Sequence, residues 1–413
     1  MSRAAEAFQR RLLPPLTALA DNTYLAAIRA GMVAIVPLTI IGGVFLLAAH
    51  LPIPGWEGHL TTHFPILQVP VAATFGLLAV FVCFAIGYEL GQRLGQDPAG
   101  SAMLATLNFL LLQLDAKGEA LTFSGLGSAG LFTAIVIALV SVRVKKAFTD
   151  RNLVIRLPPG VPKIVAESFL SLAPMACLVA MFWALRFVLG LDLNQLIQAA
   201  FSPLVFALNT LPGILVYAFL VTLLWSVGIN GDNAMDAIVA PIFLQYLADN
   251  VAAITQGLPA PYVTANGFFS TFVNVGGTGA TLALALLLLR SPDPALRQVC
   301  RLSLPTQVFQ INEPIFFGIP IVLNPLLMIP YVLNALLLTT GTYLLMQAGW
   351  IGRPFLNIPW TTPPIIGHYL VTGGDWRAAL WGAISIGLAM LVYLPFARLL
   401  EFQRLRKAPA PAP

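Results

Sequence analysis

Residues 310–331 read QINEPIFFGIPIVLNPLLMIPY, and this stretch decides what kind of fold the chain can adopt. It is almost entirely apolar, as a membrane-spanning segment would be, yet it carries a carboxylate, Glu313, between Asn312 and Pro314. Acidic side chains within apolar membrane segments are expensive to bury and usually serve a function. Proline interrupts a helix because it lacks a backbone N–H group. The stretch therefore predicts a broken, re-entrant membrane segment that presents Glu313 to a polar cavity, or an acid held by freed backbone N–H groups.

The composition of the whole chain predicts an all-α integral membrane protein. Of its 413 residues, 58% are hydrophobic and 9% are charged, whereas soluble domains carry about 25% charged residues. A spanning helix needs about 20 mostly apolar residues, and several runs meet that requirement. The alternating pattern of a membrane β-barrel is not seen. The net charge of +5 does not indicate a nucleic-acid partner, because in a membrane protein the location of the charges matters more than their sum.

The positions of Lys and Arg predict the topology. The N-terminal segment and the loop at 143–163 are basic, whereas the loop at 50–70 contains no Lys or Arg. Basic loops usually face the cytoplasm. We therefore expect both termini inside, about ten transmembrane helices, and a disordered Ala/Pro-rich tail at 403–413 after a transmembrane domain at 1–402. The clearest predicted spans are 25–49, 71–90, 102–114, 131–144, 168–189, 205–227, 323–347 and 378–396, with a less regular region at 230–281.

A second polar cluster lies in the segment WSVGINGDNAMDAIVAP, which begins at Trp225. Asn230, Asp232 and Asn233 surround a glycine, a composition typical of turns. One interpretation is an ordinary turn in which Asp232 or Asn233 caps the following helix. The other is a sugar site, because hydroxyl groups need hydrogen-bonding side chains and the apolar face of a sugar ring stacks on aromatic rings.

Two further segments combine small, hydroxyl and aromatic residues. FVNVGGTGATL contains Gly276, Gly277 and Thr278; its glycines favour close helix packing, and no GK[ST] follows them as in a phosphate loop. NIPWTTPP places Trp360 and Thr361 before two prolines. Nothing predicts a metal or a cofactor: the three cysteines lack metal-like spacing. The spacing of three histidines in a predicted external loop permits a surface metal site, but we interpret them as solvated loop residues: His50, His59 and His63.

These motifs together resemble the EIIC membrane component of bacterial sugar phosphotransferase systems, in the lactose/cellobiose/diacetylchitobiose branch. The resemblance extends along most of the chain, through DNTYLAAIRAGMVAIVPLTIIGG, GLFTAIVIALVSV, LPPGVPKIVAESFLSLAP, NGDNAMDAIVAPIFLQYLADN, INEPIFFGIPIVLNPLLMIPY and PWTTPPIIGHYLVTG. It implies a homodimer in the bacterial plasma (inner) membrane, with about ten spans plus two re-entrant hairpins. It also implies that the chain binds a sugar such as cellobiose or diacetylchitobiose and moves it by an elevator-like motion. The partners implied are cytoplasmic EIIB, whose phosphocysteine phosphorylates the sugar, and EIIA.

The resemblance also implies roles for individual residues. Glu313 would lie near the hydroxyl to be phosphorylated, and Trp225, Trp360 and the glycine-rich segment would line the sugar site. The candidate catalytic residues are Glu313 and Asn230. The candidate substrate-binding residues are Trp225, Asn230, Asp232, Asn233, Gly276, Gly277, Thr278, Asn312, Glu313, Trp360 and Thr361.

Two positions depart from the family pattern. Asn230 stands where the family usually has a histidine that neighbours the reactive hydroxyl. Histidine exchanges protons near neutral pH, whereas an asparagine amide only forms hydrogen bonds, and general acid–base help is worth about 10²–10⁴-fold in rate. The sequence therefore leaves open a sugar facilitator without phosphorylation, or a membrane sugar sensor. His368 stands where the family tends to have a second glycine.

Overall fold

The computed structural model describes residues 22–49, 66, 69–115, 117–155, 158, 163–319 and 321–407, and this part of the chain is built from helices. Within it there is no β-sheet, and an isolated bridge pairs Leu114 with Leu121. The chain divides into two compact units. Of the described residues, 22–46, 66–205 and 235–248 fall in the first unit, and 47–49, 206–234 and 249–407 fall in the second.

Most helices of the first half of the chain belong to the first unit. They are α1 (Thr23–Ala34), α2 (Val36–Ala49), α3 (Val69–Thr74), α4 (Leu78–Arg93), α5 (Pro98–Leu112), α6 (Phe123–Leu126), α7 (Leu131–Asp150), α8 (Lys163–Trp183) and α9 (Leu193–Leu208). Small residues allow α4 and α5 to approach closely, since a Cβ at Gly87 would lie 3.0 Å from the Ala102 backbone. The Lys145 ammonium on α7 is buried and donates to the Ser101 hydroxyl at 3.1 Å, which ties α7 to α5.

The second unit contains the polar segments described above around Asn230, Gly276, Glu313 and Trp360. Its helices are α10 (Leu211–Ser226), the start and end of α11 (Gly231–Thr255), α12 (Thr281–Leu288), α13 (Pro294–Val308), α14 (Glu313–Gly318), α15 (Pro325–Gln347), α16 (Ile366–Val371) and α17 (Trp376–Lys407). A π-helix at Phe268–Val273 precedes the glycine-rich segment. Helix α15 packs on α10 and on α17.

Six helices of the described chain are long and apolar enough to cross a membrane. They are Thr23–Leu46, Val69–Arg93, Phe169–Val188, Gly231–Thr255, Pro325–Gln347 and Trp376–Arg406. The pair α9 and α10 makes a seventh if it is counted as one broken span. The all-α prediction is confirmed. The last helix continues through residues 403–407, which the sequence assigned to the tail, and residues 408–413 lie outside the described residues.

Two predicted boundaries are wrong. The less regular region at 230–281 begins with a 25-residue helix, Gly231–Thr255, that contains Pro241; beyond its polar first turn this segment is rich in Ala, the residue that most favours a helix. The predicted span 205–227 is broken at residues 209–210, because the Thr210 hydroxyl accepts from the Gly213 N–H at 3.3 Å and starts a new helix there.

Asparagine side chains fix the chain breaks of the second unit. Asn209 Oδ1, at the α9–α10 bend, accepts from the backbone N–H of Val263 at 3.1 Å and of Thr264 at 3.3 Å. The buried Asn250 accepts from the N–H of Tyr262 at 2.8 Å and donates to the carbonyl of Pro354 at 2.7 Å. These backbone groups of the non-helical segments therefore have side-chain partners, which irregular backbone would need inside a membrane.

Candidate functional site

The N-terminus of α11 places the first group of candidate residues. Asn230 is the N-cap, and its Oδ1 accepts from the backbone N–H of Asn233 at 2.9 Å. The interpretation that Asp232 or Asn233 caps this helix is therefore wrong. Asparagine serves this position well, because its side chain replaces the missing acceptor of a first-turn N–H group. Asp232 falls in the first turn, and Asn233 is exposed.

The Asp232 carboxylate joins three segments of the second unit. Its Oδ2 accepts from Trp225 Nε1 at 2.8 Å and from Thr278 Oγ1 at 2.7 Å. Its Oδ1 accepts from Asn274 Nδ2 at 3.3 Å. The end of α10, the start of α11 and the glycine-rich segment thus meet at one anion. We call Trp225, Asp232, Asn274 and Thr278 the Asp232 cluster.

Trp225 is held in a fixed orientation by this cluster. It is only 6% exposed, and it packs edge-to-face against Phe316 with 5.2 Å between ring centroids. Because its indole N–H already donates to Asp232, that group is not available to a ligand in this arrangement. In this arrangement Trp225 could contact a ligand only through the carbon atoms of its indole ring.

The glycine-rich segment at 274–280 approaches the stretch that opened the sequence analysis. Gly277 has φ +100°, and a Cβ there would lie 2.5 Å from Asn312 Cβ, so a larger residue does not fit. Asn312 Nδ2 donates to the carbonyl of Thr278 at 2.9 Å. Gln310 Oε1 accepts from the N–H of Gly276 at 2.7 Å and of Gly277 at 3.2 Å. Two amide side chains therefore hold this segment against the residues that precede Glu313.

Glu313 itself begins the short helix α14. It follows the buried Asn312, yet its own side chain is exposed. Glu313 therefore directly follows Asn312, which is hydrogen-bonded to Thr278 of the Asp232 cluster. Within the described residues, the Glu313 carboxylate itself forms no hydrogen bond or ion pair.

Trp360 and Thr361 lie on a separate turn. The Pro359 carbonyl accepts from the Thr362 N–H at 2.9 Å across this turn, and Trp360 is 60% exposed. Within the described residues, neither Trp360 nor Thr361 is hydrogen-bonded to the Asp232 cluster. The loop that leads to the turn is joined to the segment before the π-helix, because Asn266 Nδ2 donates to Asn357 Oδ1 at 3.1 Å.

Sequence reasoning missed two members of this network. Asn274 belongs to the Asp232 cluster, and Gln310 holds the glycine-rich segment. Each is an amide two residues before a motif that had been singled out, GGTG or NEP, and that position is the signal that could have found them. The three loop histidines, His50, His59 and His63, lie outside the described residues.

Comparison with known proteins identifies the family. The family model described as "Phosphotransferase system, EIIC" matches residues 29–335. The lichenan permease IIC component of Bacillus subtilis is 33% identical over 98% of this chain and 96% of that protein. The cellobiose-specific EIIC component of Geobacillus stearothermophilus is also 33% identical over the same shares.

A solved structure extends the similarity to the fold. It is the crystal structure of the transporter ChbC, the IIC component of an N,N'-diacetylchitobiose-specific phosphotransferase system, with a TM-score of 0.92 and 31% identity. The similarity covers 98% of this chain and 100% of that one. With its long apolar helices, the chain is a multi-pass protein of the bacterial inner membrane. The resemblance in sequence is confirmed: this chain belongs to the EIIC family, the sugar permease components of the phosphotransferase system, of the cellobiose/lactose/chitobiose type.

Proposed function

We propose that the chain binds a β-linked disaccharide, such as cellobiose or diacetylchitobiose, and carries it across the membrane for phosphorylation by a separate EIIB protein. The names of its relatives support this substrate class, since they refer to lichenan, cellobiose and N,N'-diacetylchitobiose. The observation that carries the proposal is the network that joins Trp225, Asp232, Thr278 and Asn312 to a carboxylate without a partner.

In this proposal Glu313 receives the proton of the sugar hydroxyl. The hydroxyl oxygen attacks the phosphorus of the EIIB phosphocysteine, the sulfur–phosphorus bond breaks, and the thiolate leaves. The proton lost by the hydroxyl passes to the Glu313 carboxylate. An exposed carboxylate that is not already held by a hydrogen bond or a cation suits this task, because a general base must reach the proton that it abstracts.

Asn230 takes a different part from the histidine of the family pattern. Its Oδ1 is used to cap α11, so its NH₂ group remains as a hydrogen-bond donor. We propose that this group, with Asn233, binds a sugar hydroxyl, and that Asn230 takes no proton. Glu313 then carries the base chemistry alone.

The remaining site residues divide between positioning and contact. Asp232 is surrounded by three protein donors, which supports a role in holding Trp225 and Thr278 rather than in direct sugar contact. Trp225 and Trp360 offer ring faces to the sugar. Further contacts are proposed from these residues: Gly276, Gly277, Thr278, Asn312 and Thr361.

The assembly is also part of the proposal. We propose about ten spans with two re-entrant hairpins, both termini in the cytoplasm, a transmembrane domain at 1–402 and a tail at 403–413. The chain breaks around Gly276 and around Gln310, where φ values are positive, support two re-entrant segments. We further propose a homodimer that works with EIIB and EIIA.

Transport into proteoliposomes tests the proposal. Radiolabelled cellobiose, diacetylchitobiose, lactose and a monosaccharide panel are supplied with and without phosphorylated EIIB. We expect sugar phosphate to accumulate only with EIIB, and Glu313→Gln to lower phosphate formation by at least about 10²-fold while retaining sugar binding. Free sugar that equilibrates regardless of EIIB would support a facilitator, and binding without any uptake would support a sensor.

A further inference from the structure

We propose that His368 is a positioning residue for the turn that carries Trp360. The inference rests on the function proposed above, in which Trp360 contacts the sugar, and it explains what the histidine does at a position where the family pattern favours glycine. Each step of the argument uses contacts within the second unit.

The turn that carries Trp360 is stiffly connected to the start of α16. The Pro359 carbonyl accepts from both the N–H and the hydroxyl of Thr362, at 2.9 and 2.6 Å. Residues 363–364 are both proline, with φ fixed near −65° by the ring. The two hydrogen bonds of the turn and the two fixed φ angles therefore couple the backbone at Ile365 to the turn that carries Trp360.

Ile365 adopts a backbone conformation that needs support. Its φ is +71°, a region that costs about 1–3 kcal/mol for a residue other than glycine and persists only when its surroundings enforce it. Its N–H donates to His368 Nδ1 at 3.3 Å, and its carbonyl accepts from the Tyr369 N–H at 3.0 Å. The Nδ1 atom of the His368 imidazole thus accepts the hydrogen bond from the backbone N–H of Ile365, the strained residue.

The imidazole is itself held in place on two sides. His368 is fully buried, and its ring packs edge-to-face on Phe272 with 4.5 Å between centroids. On another side it lies against Gly382 of α17, where a Cβ would be 2.9 Å from the ring. Phe272 belongs to the π-helix that runs directly into Asn274 of the Asp232 cluster. His368 therefore links the Trp360 turn to the segment that carries the rest of the site.

The hydrogen bond also fixes the form of the ring. Because Nδ1 accepts, the neutral imidazole carries its proton on Nε2, a buried atom that has no hydrogen-bond partner within the described residues. Asparagine can place Oδ1 close to the position of Nδ1 and keep the acceptor. Leucine fills similar space without an acceptor, and phenylalanine keeps the ring without one. These three replacements separate the hydrogen bond from the packing.

A spin label reports the mobility of the turn that carries Trp360, and this measurement needs no sugar. The label is attached to Thr361→Cys in the full-length chain whose three cysteines are replaced by alanine, in liposomes. We expect His368→Leu and His368→Phe to increase label mobility, and His368→Asn to restore the wild-type line shape. The matched control is Ser385→Ala, which alters another fully buried polar side chain of the second unit. It should change nothing.

Sugar binding then tests the link to function. We expect His368→Leu to weaken cellobiose or diacetylchitobiose binding by about fivefold, which corresponds to the loss of one hydrogen bond. In the Trp360→Ala background the same change should have no further effect. Unchanged label mobility in both His368→Leu and His368→Phe overturns the inference. If mobility rises but Trp360→Ala binds sugar normally, the positioning role stands and the proposed contact of Trp360 fails.

Discussion

Replacing Asp232 by alanine removes the acceptor that three buried donors share. Hydrogen bonds to charged groups contribute about 1.5–3 kcal/mol each. The bonds from Trp225 and Thr278 are short, at 2.8 and 2.7 Å, whereas the bond from Asn274 is long, at 3.3 Å. Counting about 2 kcal/mol for Trp225, about 1 for a Thr278 hydroxyl that can rotate to another acceptor, and little for Asn274, we expect a loss of about 3 kcal/mol in the free energy of unfolding.

Two milder variants bracket this value. Thr278→Val removes one of the donors and should cost about 1 kcal/mol. Asp232→Asn keeps one oxygen to accept the two short bonds, but it loses the charge and places an amide NH₂ group against the NH₂ group of Asn274. The loss in the free energy of unfolding should therefore fall between the losses for Asp232→Ala and Thr278→Val. The matched control is Thr340→Val, since the Thr340 hydroxyl bonds the carbonyl of Leu336 in its own helix at 2.8 Å and should matter little.

Unfolding by SDS titration in detergent micelles, followed by far-UV circular dichroism, measures these differences. The double variant Asp232→Ala with Thr278→Val should be about 1 kcal/mol more stable than the sum of the single effects predicts, because both changes delete the same bond. The reasoning is refuted if Asp232→Ala unfolds within about 0.5 kcal/mol of the wild type, or if the two effects are strictly additive.

Three further changes have defined outcomes. Glu313→Gln should lower sugar-phosphate formation by at least about 10²-fold and change the dissociation constant of the sugar less than threefold; equal phosphorylation rates would exclude a base role. Asn230→Ala should destabilise α11 by about 1 kcal/mol, whereas Asn230→Asp should retain the cap, as thermal unfolding would show; an unstable Asn230→Asp would contradict the capping role. Burial raises the pKa of Asp293, but hydrogen bonds from Arg404 and from the N-terminus of α13 outweigh it and hold this pKa below its usual value. A depressed pKa contributes stability that is present above about pH 4 and is lost as pH falls further, so Asp293→Asn should flatten the acid limb of the stability curve; an unchanged limb would contradict this.

Hydropathy predicted much of the helical architecture because apolar length is a local property. It failed at Gly231–Thr255, where a polar first turn and Pro241 suggested irregular structure, although the later residues favour a helix. It also merged two helices across residues 209–210, because a hydropathy average does not register the local cap that the Thr210 hydroxyl provides for the Gly213 N–H. The contact of Asn209 with Val263, 54 residues away, lies outside any window of neighbouring residues.

The candidate site shows the same division. The sequence motifs singled out Trp225, Asp232, Thr278 and Glu313 as candidates, because they combine polar groups with an aromatic ring. The sequence could not show that Asp232 accepts hydrogen bonds from donors 7, 42 and 46 residues away. These bonds support a positioning role for this acid. The capping role of Asn230 was also assigned to its neighbours, because every residue of the Asn-Gly-Asp-Asn tetrad is chemically suited to a turn.

The contact between Gln310 and the glycine-rich segment bears on how the product leaves. Consecutive backbone N–H groups of glycine turns commonly form concave binding sites for anions. Here the N–H groups of Gly276 and Gly277 both point at the neutral carbonyl oxygen of Gln310, so these donors are already used when a sugar arrives. A sugar that has just acquired a phosphate gains no attraction from them. In the proposed function, the N–H groups of Gly276 and Gly277 therefore offer the phosphate of the product no free anion site when it is released.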